Sequence, residues 1–365
     1  MEIEEVIKKI ERNTVEIITR EELKQLLMTE KNPRGYIGVE PSGLFHIGWI
    51  VWVKKLKDLM DIGVKMHLLE ATWHAQINDK LEGDIERIRM CGKYFEYALK
   101  ALGVDTDKLI FVTADEFMDT LDYWSMVFKV SKNLTLARVK RAMTIMGRKA
   151  SEAELDFSKM LYPSLQVTDI FYGEFKICLG GTDQRRAHIL AREVAEKINV
   201  GWKPIAIHTP LIPGLTGLQR MNPEDIAKMD TMEISIEAKM SKSKPGDAIF
   251  IHDTPDEIRK KIRNAYCPPK TLEHNPIIAI NKYILFDEQF VLHIDRPEKY
   301  GGPIDITSFD DLAKLYTTGK LHPLDLKIAT AEALIKFLEP ARKMFETDKK
   351  AREYLEAVKQ ARVTR

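Results

Sequence analysis

Between residues 35 and 209, short apolar runs of strand length alternate with longer amphipathic stretches, and this alternation narrows the possible folds more than any other property of the chain. The runs 35–40, 64–71, 109–114, 175–181 and 205–209 read as buried strands. A helix carrying Ile47, Ile50, Val51, Lys54 and Leu56 runs to about Asp61, and further helices are expected over 84–102, 157–172 and 184–197. Strands separated by helices at this spacing require crossover connections, so an α/β fold around a parallel sheet is predicted. Upstream, Thr19 and Glu22 form a capping box that opens a helix through Leu23, Leu26 and Leu27.

Beyond residue 250 the pattern changes. Thr254-Pro255-Asp256-Glu257 is a second capping box with proline at the first helical position. Ile328, Ala331, Leu334, Ile335 and Leu338 mark one apolar stripe, so an α-helical domain is expected over 251–365 after an α/β domain over 1–250. At 365 residues the chain is long enough for two domains. A long helical stretch over 123–147, bearing Arg138, Lys140 and Arg141, reads as part of an insertion spanning about 115–160. The balance of 56 basic against 55 acidic residues confines any nucleic-acid footprint to local patches. Cys91, Cys178 and Cys267 are far apart and form no CxxC pair, which argues against a disulfide framework or a zinc site. With no apolar leader and no run of membrane-spanning length, a soluble cytoplasmic protein is expected.

Two motifs carry chemistry. Pro41-Ser42-Gly43-Leu44-Phe45-His46-Ile47-Gly48 follows the first strand of the alternation and enters a helix, where backbone N–H groups suit an anion. His46 is placed to donate a hydrogen bond to a phosphate, and Gly48 leaves room for a nucleotide. Taken alone, His-x-Gly is better read as a buried structural histidine beside a helix cap. Lys239-Met240-Ser241-Lys242-Ser243 lies in a polar segment ending in Pro245-Gly246, so a mobile loop is expected. Its two ammonium groups suit a leaving pyrophosphate. Together the motifs describe a site that activates a carboxylate with ATP.

With these residues the sequence resembles class I aminoacyl-tRNA synthetases, whose signatures are a HIGH-type tetrapeptide and KMSKS. It is most similar to the archaeal/eukaryotic type of tyrosyl-tRNA synthetase, on Tyr36-Ile37-Gly38-Val39-Glu40-Pro41-Ser42-Gly43, Tyr162-Pro163-Ser164-Leu165-Gln166-Val167-Thr168-Asp169, Gly180-Gly181-Thr182-Asp183-Gln184-Arg185, KMSKS and His322-Pro323-Leu324-Asp325. The resemblance spans residues 13–343. It departs from the pattern at Trp49, which stands in place of the second HIGH histidine, and at Thr72, where aspartate is common. The stretch 218–238 is longer than the usual link to KMSKS.

The resemblance implies a Rossmann-type catalytic domain and a helical anticodon-binding domain. His46, Gly48, Lys239 and Lys242 would be catalytic, and Met240, Ser241 and Ser243 would join them around ATP. Tyr36 and Asp169 would hold the phenol of L-tyrosine, with Tyr162, Gln166 and Gln184 on its α-amino group and Glu40 in support. Gln166 and Asp169 are three residues apart and share a helix face, although Asp169 on a helix surface and Tyr36 in a core are the ordinary alternatives. His74 stands open between core and pocket. Arg141, Arg185 and Arg186 would face the acceptor stem of tRNA(Tyr), and Tyr300, His322 and Asp325 the first anticodon base, the alternatives being solvated arginines, a packed tyrosine and a helix cap by Asp325. Mg²⁺ would arrive with ATP, no protein-held metal is expected, and a homodimer is implied with the 123–147 helices as its interface. A tryptophanyl-tRNA synthetase, another nucleotidyltransferase and a non-catalytic RNA-binding paralogue are the competing readings.

Overall fold

The computed structural model describes residues 2–143, 156–242 and 245–361. The chain forms two compact units, the first drawn from residues up to 43, from 52–210 and from 353 onward, the second from 44–51 and 211–352. This differs from the division expected at residue 250, and the reason is non-local. Ile47 N–H donates to Ile249 O at 2.9 Å and Ile251 N–H to Phe45 O at 3.1 Å. His46 and Phe250 form an antiparallel bridge, so the segment 44–51 is laddered to the chain around 250.

The first unit holds a six-stranded sheet of β1 (Glu16–Ile18), β2 (Arg34–Val39), β3 (Lys65–Glu70), β4 (Ile110–Thr113), β5 (Ile177–Gly181) and β6 (Ile205–Thr209), in the order β1-β6-β5-β2-β3-β4. All pairings are parallel except β1 with β6, where Glu16 faces His208. From β2 the chain moves to β3 and β4 on one side, then returns to β5 and β6 on the other. The carboxyl ends of β2 and β5 therefore flank a topological switch point, where ligands of such sheets bind.

Helices α1 (Ile3–Glu11) and α2 (Arg20–Thr29) precede the sheet proper, and Thr19 caps α2 as its capping box requires. After α3 (Ile50–Asp61) and α4 (Thr72–Ile77), Asp84 caps α5 (Ile85–Ala101) through the N–H groups of Glu86 and Arg87. The helical insertion is not continuous: α6 (Ala114–Met118), α7 (Leu121–Lys132) and α8 (Leu136–Ala142) each begin at a threonine cap, Thr113, Thr120 and Thr135. Residues 144–155 of the insertion lie outside the described residues. Then α9 (Ser158–Tyr172) and α10 (Arg185–Lys197) cover one face of the sheet, enclosing Tyr36, Val167, Phe171, Phe175, Leu190 and Val194 in one core.

In the second unit α11 (Pro223–Ile226) and α12 (Thr231–Ala238) occupy the long link before KMSKS. There follow α13 (Pro255–Asn264), α14 (Pro276–Ile280), α15 (Phe309–Thr317), α16 (Pro323–Phe337), α17 (Glu339–Thr347) and the start of α18 (Lys349–Gln360). The unit is helical as expected, with one addition: β7 (Leu292–Ile294) and β8 (Ile304–Ile306) form an antiparallel hairpin. Of the apolar stripe on α16, Leu334 is buried but Ile328 is 54% exposed.

Candidate active site

The first constellation lies at the switch point of the first unit. Tyr36 points from β2 into the core and stacks on Phe175, with ring centroids 4.7 Å apart. Its hydroxyl is fully enclosed, and burial, with Cys178 and Asp169 adding to it, pushes the phenol pKa well above its ordinary value. Tyr36 therefore stays protonated and is a donor. Asp169, buried on α9, accepts a 2.7 Å hydrogen bond from the Tyr123 hydroxyl on Oδ1, while His74 Nε2 lies 3.2 Å from Oδ2. Burial pushes the Asp169 carboxyl up, and His74 and Tyr123 oppose the shift. The same burial lowers the pKa of His74 against the pull of Asp169, so the ring is neutral.

Around this pair the remaining predicted pocket residues form two short chains. Tyr162 donates to Glu40 Oε1 at 2.7 Å, and Asn78 Nδ2 donates to both oxygens of Glu40 at 3.0 and 3.2 Å. Gln166 Nε2 donates to Gln184 Oε1 at 3.0 Å. That leaves Gln166 Oε1 buried with no partner among the described residues. A buried acceptor without a donor is costly, and an ammonium group is the ligand chemistry that would satisfy it. Tyr36, Glu40, Tyr162, Gln166, Asp169 and Gln184 thus fall in one unit, on β2 and the residue after it, on α9 and in the turn after β5.

The second constellation lies in the second unit. His46 is buried, its Nδ1 without a hydrogen-bond partner among the described residues. Burial, then Lys242 and Lys239, depress its pKa well below the usual imidazole value. It is neutral near pH 7 and has one N–H to donate. A Cβ at Gly48 would stand 3.0 Å from His46 Nδ1 and 3.4 Å from Met240 Cβ. The absence of a side chain at Gly48 thus lets the two motifs approach each other closely. Met240 is buried, and its N–H donates to Ile212 O at 2.7 Å, while Lys239 bridges Pro213. The first half of KMSKS is accordingly pinned along the strand-like 212–214 segment rather than looping freely. Lys239, Ser241 and Lys242 remain part-exposed, and Ser243 lies outside the described residues.

The residues expected to meet RNA divide between the units. Arg141 and Arg186 are exposed, on α8 and α10, which pack together. Arg185 is half-buried and donates through Nε to Glu16 at 2.7 Å. In the second unit Tyr300 is exposed and precedes Gly301 and Gly302, whose φ angles of +105° and +69° favour glycine. Arg296 donates to Gly302 O at 2.7 Å and to Lys320 O at 2.8 Å, tying the Tyr300 turn to the start of α16. The cap of α16 is His322, whose Nδ1 accepts from Leu324 N–H at 3.2 Å; Asp325 sits in the first turn and is not the cap.

Sequence reasoning missed Tyr123 and Asn78, and left His74 unassigned. Nothing local marks Tyr123 or Asn78, because each meets its carboxylate across a long sequence separation. His74 alone had a signal, an imidazole just after a buried strand. Among the described residues no cluster of three or more His, Cys, Asp or Glu side chains forms a metal site.

The family described as tRNA synthetases class I (W and Y) matches residues 28–339. The tyrosine–tRNA ligase of Sulfolobus acidocaldarius is 56% identical over 94% of both chains, and that of Aeropyrum pernix 50% identical over 100% of this chain and 99% of its own. The tyrosyl-tRNA synthetase of Pyrococcus horikoshii, solved in complex with L-tyrosine, superposes with a TM-score of 0.89 at 41% identity, covering 98% of this chain and all of that one.

Proposed function

Because the chain belongs to the class I tRNA synthetases of the W and Y group, we infer that its two constellations serve one reaction, the ATP-driven joining of L-tyrosine to tRNA(Tyr). It is a tyrosine–tRNA ligase. The observation that carries the choice of amino acid is the protonated, enclosed Tyr36 hydroxyl beside Asp169, whose Oδ1 is held by Tyr123 while His74 Nε2 lies 3.2 Å from Oδ2. A phenol entering there donates to Asp169 and accepts from Tyr36. Phenylalanine would leave both groups unpaired and an indole offers no acceptor, so both are disfavoured. The open Gln166 Oε1 takes the α-ammonium, with Tyr162, Gln184 and Glu40 completing its surroundings.

In the first step a carboxylate oxygen of tyrosine attacks the α-phosphorus of ATP and the bond to the β,γ-phosphates breaks. Lys239 and Lys242 neutralise the departing pyrophosphate, and neutral His46 donates its N–H to the charge that builds on phosphate oxygen. Met240 and Ser241 place these lysines, and Gly48 allows their approach. In the second step a terminal ribose hydroxyl of tRNA attacks the tyrosyl carbonyl and AMP leaves. Positioning and charge neutralisation do this without a side-chain nucleophile. Mg²⁺ enters with the nucleotide. Arg141, Arg185 and Arg186 meet the acceptor stem, and Tyr300, His322 and Asp325 the anticodon.

The enzyme works in the cytoplasm as a homodimer. Leu121, Trp124 and Phe128 on α7, 82%, 38% and 72% exposed at helical spacing, supply an apolar face for a second copy. No helix among the described residues is long and apolar enough to cross a membrane.

Amino-acid-dependent ATP–pyrophosphate exchange tests the reading. Tyrosine should support exchange and tryptophan should not; the reverse result refutes it. Asp169→Ala should lower kcat/KM for tyrosine by roughly 10²-fold or more, since it strips a buried polar partner. Unchanged exchange in that variant would remove Asp169 from the pocket.

A further inference from the structure

Trp49 occupies the fourth position of the histidine motif, and it lies against the second lysine of KMSKS. Lys242 Nζ is 4.7 Å from the centroid of the indole. The indole is itself wedged in place, 4.5 Å from the His46 ring at a 38° tilt and 5.0 Å from Phe45, edge to face at 83°. Phe45 is fully buried and its carbonyl accepts from Ile251 N–H, so the platform beneath the lysine is anchored in the second unit's backbone. An ammonium within about 6 Å of an indole centroid is attracted by the ring quadrupole, and tryptophan attracts it most strongly of the aromatic side chains.

We propose that Trp49 is a positioning residue for Lys242: the indole face docks the ammonium and sets the lysine loop against the histidine turn in the arrangement that receives the polyphosphate. The proposal rests on the reading that Lys242 meets the phosphates of ATP, and it gives the departure at Trp49 a role of its own. A histidine at this position can approach a phosphate directly. Tryptophan instead acts through the neighbouring cation. The attraction depends little on direction about the ammonium, so the indole can hold Lys242 while the ammonium turns toward phosphate oxygens. Ordering the loop beforehand moves an entropy loss out of the activation step. The effect should therefore appear in kcat for adenylate formation rather than in KM for tyrosine.

The test is pyrophosphate exchange with Trp49→Phe, Trp49→Leu, Lys242→Met and the Trp49→Leu/Lys242→Met double variant. Trp49→Leu should lower kcat by roughly 2- to 30-fold, the span of a cation–π contact, with KM for tyrosine unchanged, and Trp49→Phe should stay within about 3-fold of the parent. In the Lys242→Met background the Trp49→Leu loss should vanish. A loss of equal size with and without Lys242, or full kcat in Trp49→Leu, overturns the proposal. If Trp49→Leu fails to fold by circular dichroism, Trp49→Met, which also lacks an aromatic face, with and without Lys242→Met carries the same comparison.

A second readout needs no turnover. Trypsin should cut after Lys242 faster in Trp49→Leu than in the parent, and an unchanged rate of cleavage overturns the proposal as well. A parent enzyme without tyrosine-dependent exchange would instead count against the underlying function, and would show before any variant is made.

Discussion

Glu70 ends β3 with its carboxyl group inside the first unit, and a Cβ at Gly92 on α5 would stand only 2.4 Å from its Oε2. Burial first, then Glu96 and, more weakly, Glu116, push its pKa up to about 8 from an ordinary 4.5, against the pull of Lys93. The folded protein thus holds a proton that the unfolded chain releases near pH 4.5. Stability from this group is complete below that pH, falls as pH rises, and is lost above about 8. Glu70→Gln should remove this slope, so that between pH 6 and pH 9 the parent loses roughly 2–4 kcal/mol more stability than the variant. Urea denaturation at the two pH values checks it, and parallel losses would show that Glu70 carries no buried proton. At this scale the sequence was legible where a short block sets two side chains on one face, as with Gln166 and Asp169. It was silent where the partner comes from far away, as with Tyr123 and Asp169, 46 residues apart.

Gly173 closes α9, and a Cβ there would meet Phe175 Cε2 at 2.2 Å. Phe175 is the ring on which Tyr36 stacks, so an alanine would press the helix end against the floor of the tyrosine pocket. Gly173→Ala should lower stability by about 1–3 kcal/mol through overpacking and raise KM for tyrosine while leaving KM for ATP unchanged. Urea denaturation with exchange kinetics measures both, and a selective rise in KM for ATP would contradict the argument. Elements were legible in proportion to their burial. Strands β2, β3, β5 and β6 read as continuous apolar runs because central parallel strands are covered on both faces. Strand β1 escaped notice because it is three part-buried residues on a sheet edge, and its pairing with β6 is antiparallel. The β7–β8 hairpin escaped for the same reason, with strands of three residues each.

For the whole molecule, the apolar face of α7 bears on assembly. Phe128→Glu places a charge at its most exposed aromatic, 72% accessible, and should halve the mass measured by light scattering if that face joins two copies. An unchanged mass would place the contact elsewhere. The α/β character of the first 250 residues was legible from alternation alone, but the way the chain divides was not. That division depends on backbone pairing between residues 45–47 and 249–251, which leaves no mark on local composition. It also bears on dissection of the enzyme. A polypeptide of residues 211–352 alone would leave Ile249 O and Ile251 N–H without the groups that satisfy them, and a fragment ending at 210 would carry the complementary octapeptide 44–51 with nothing to pair with. No single cleavage of the gene yields two self-sufficient pieces, and restoring the isolated second piece calls for that octapeptide supplied in trans or grafted ahead of residue 211.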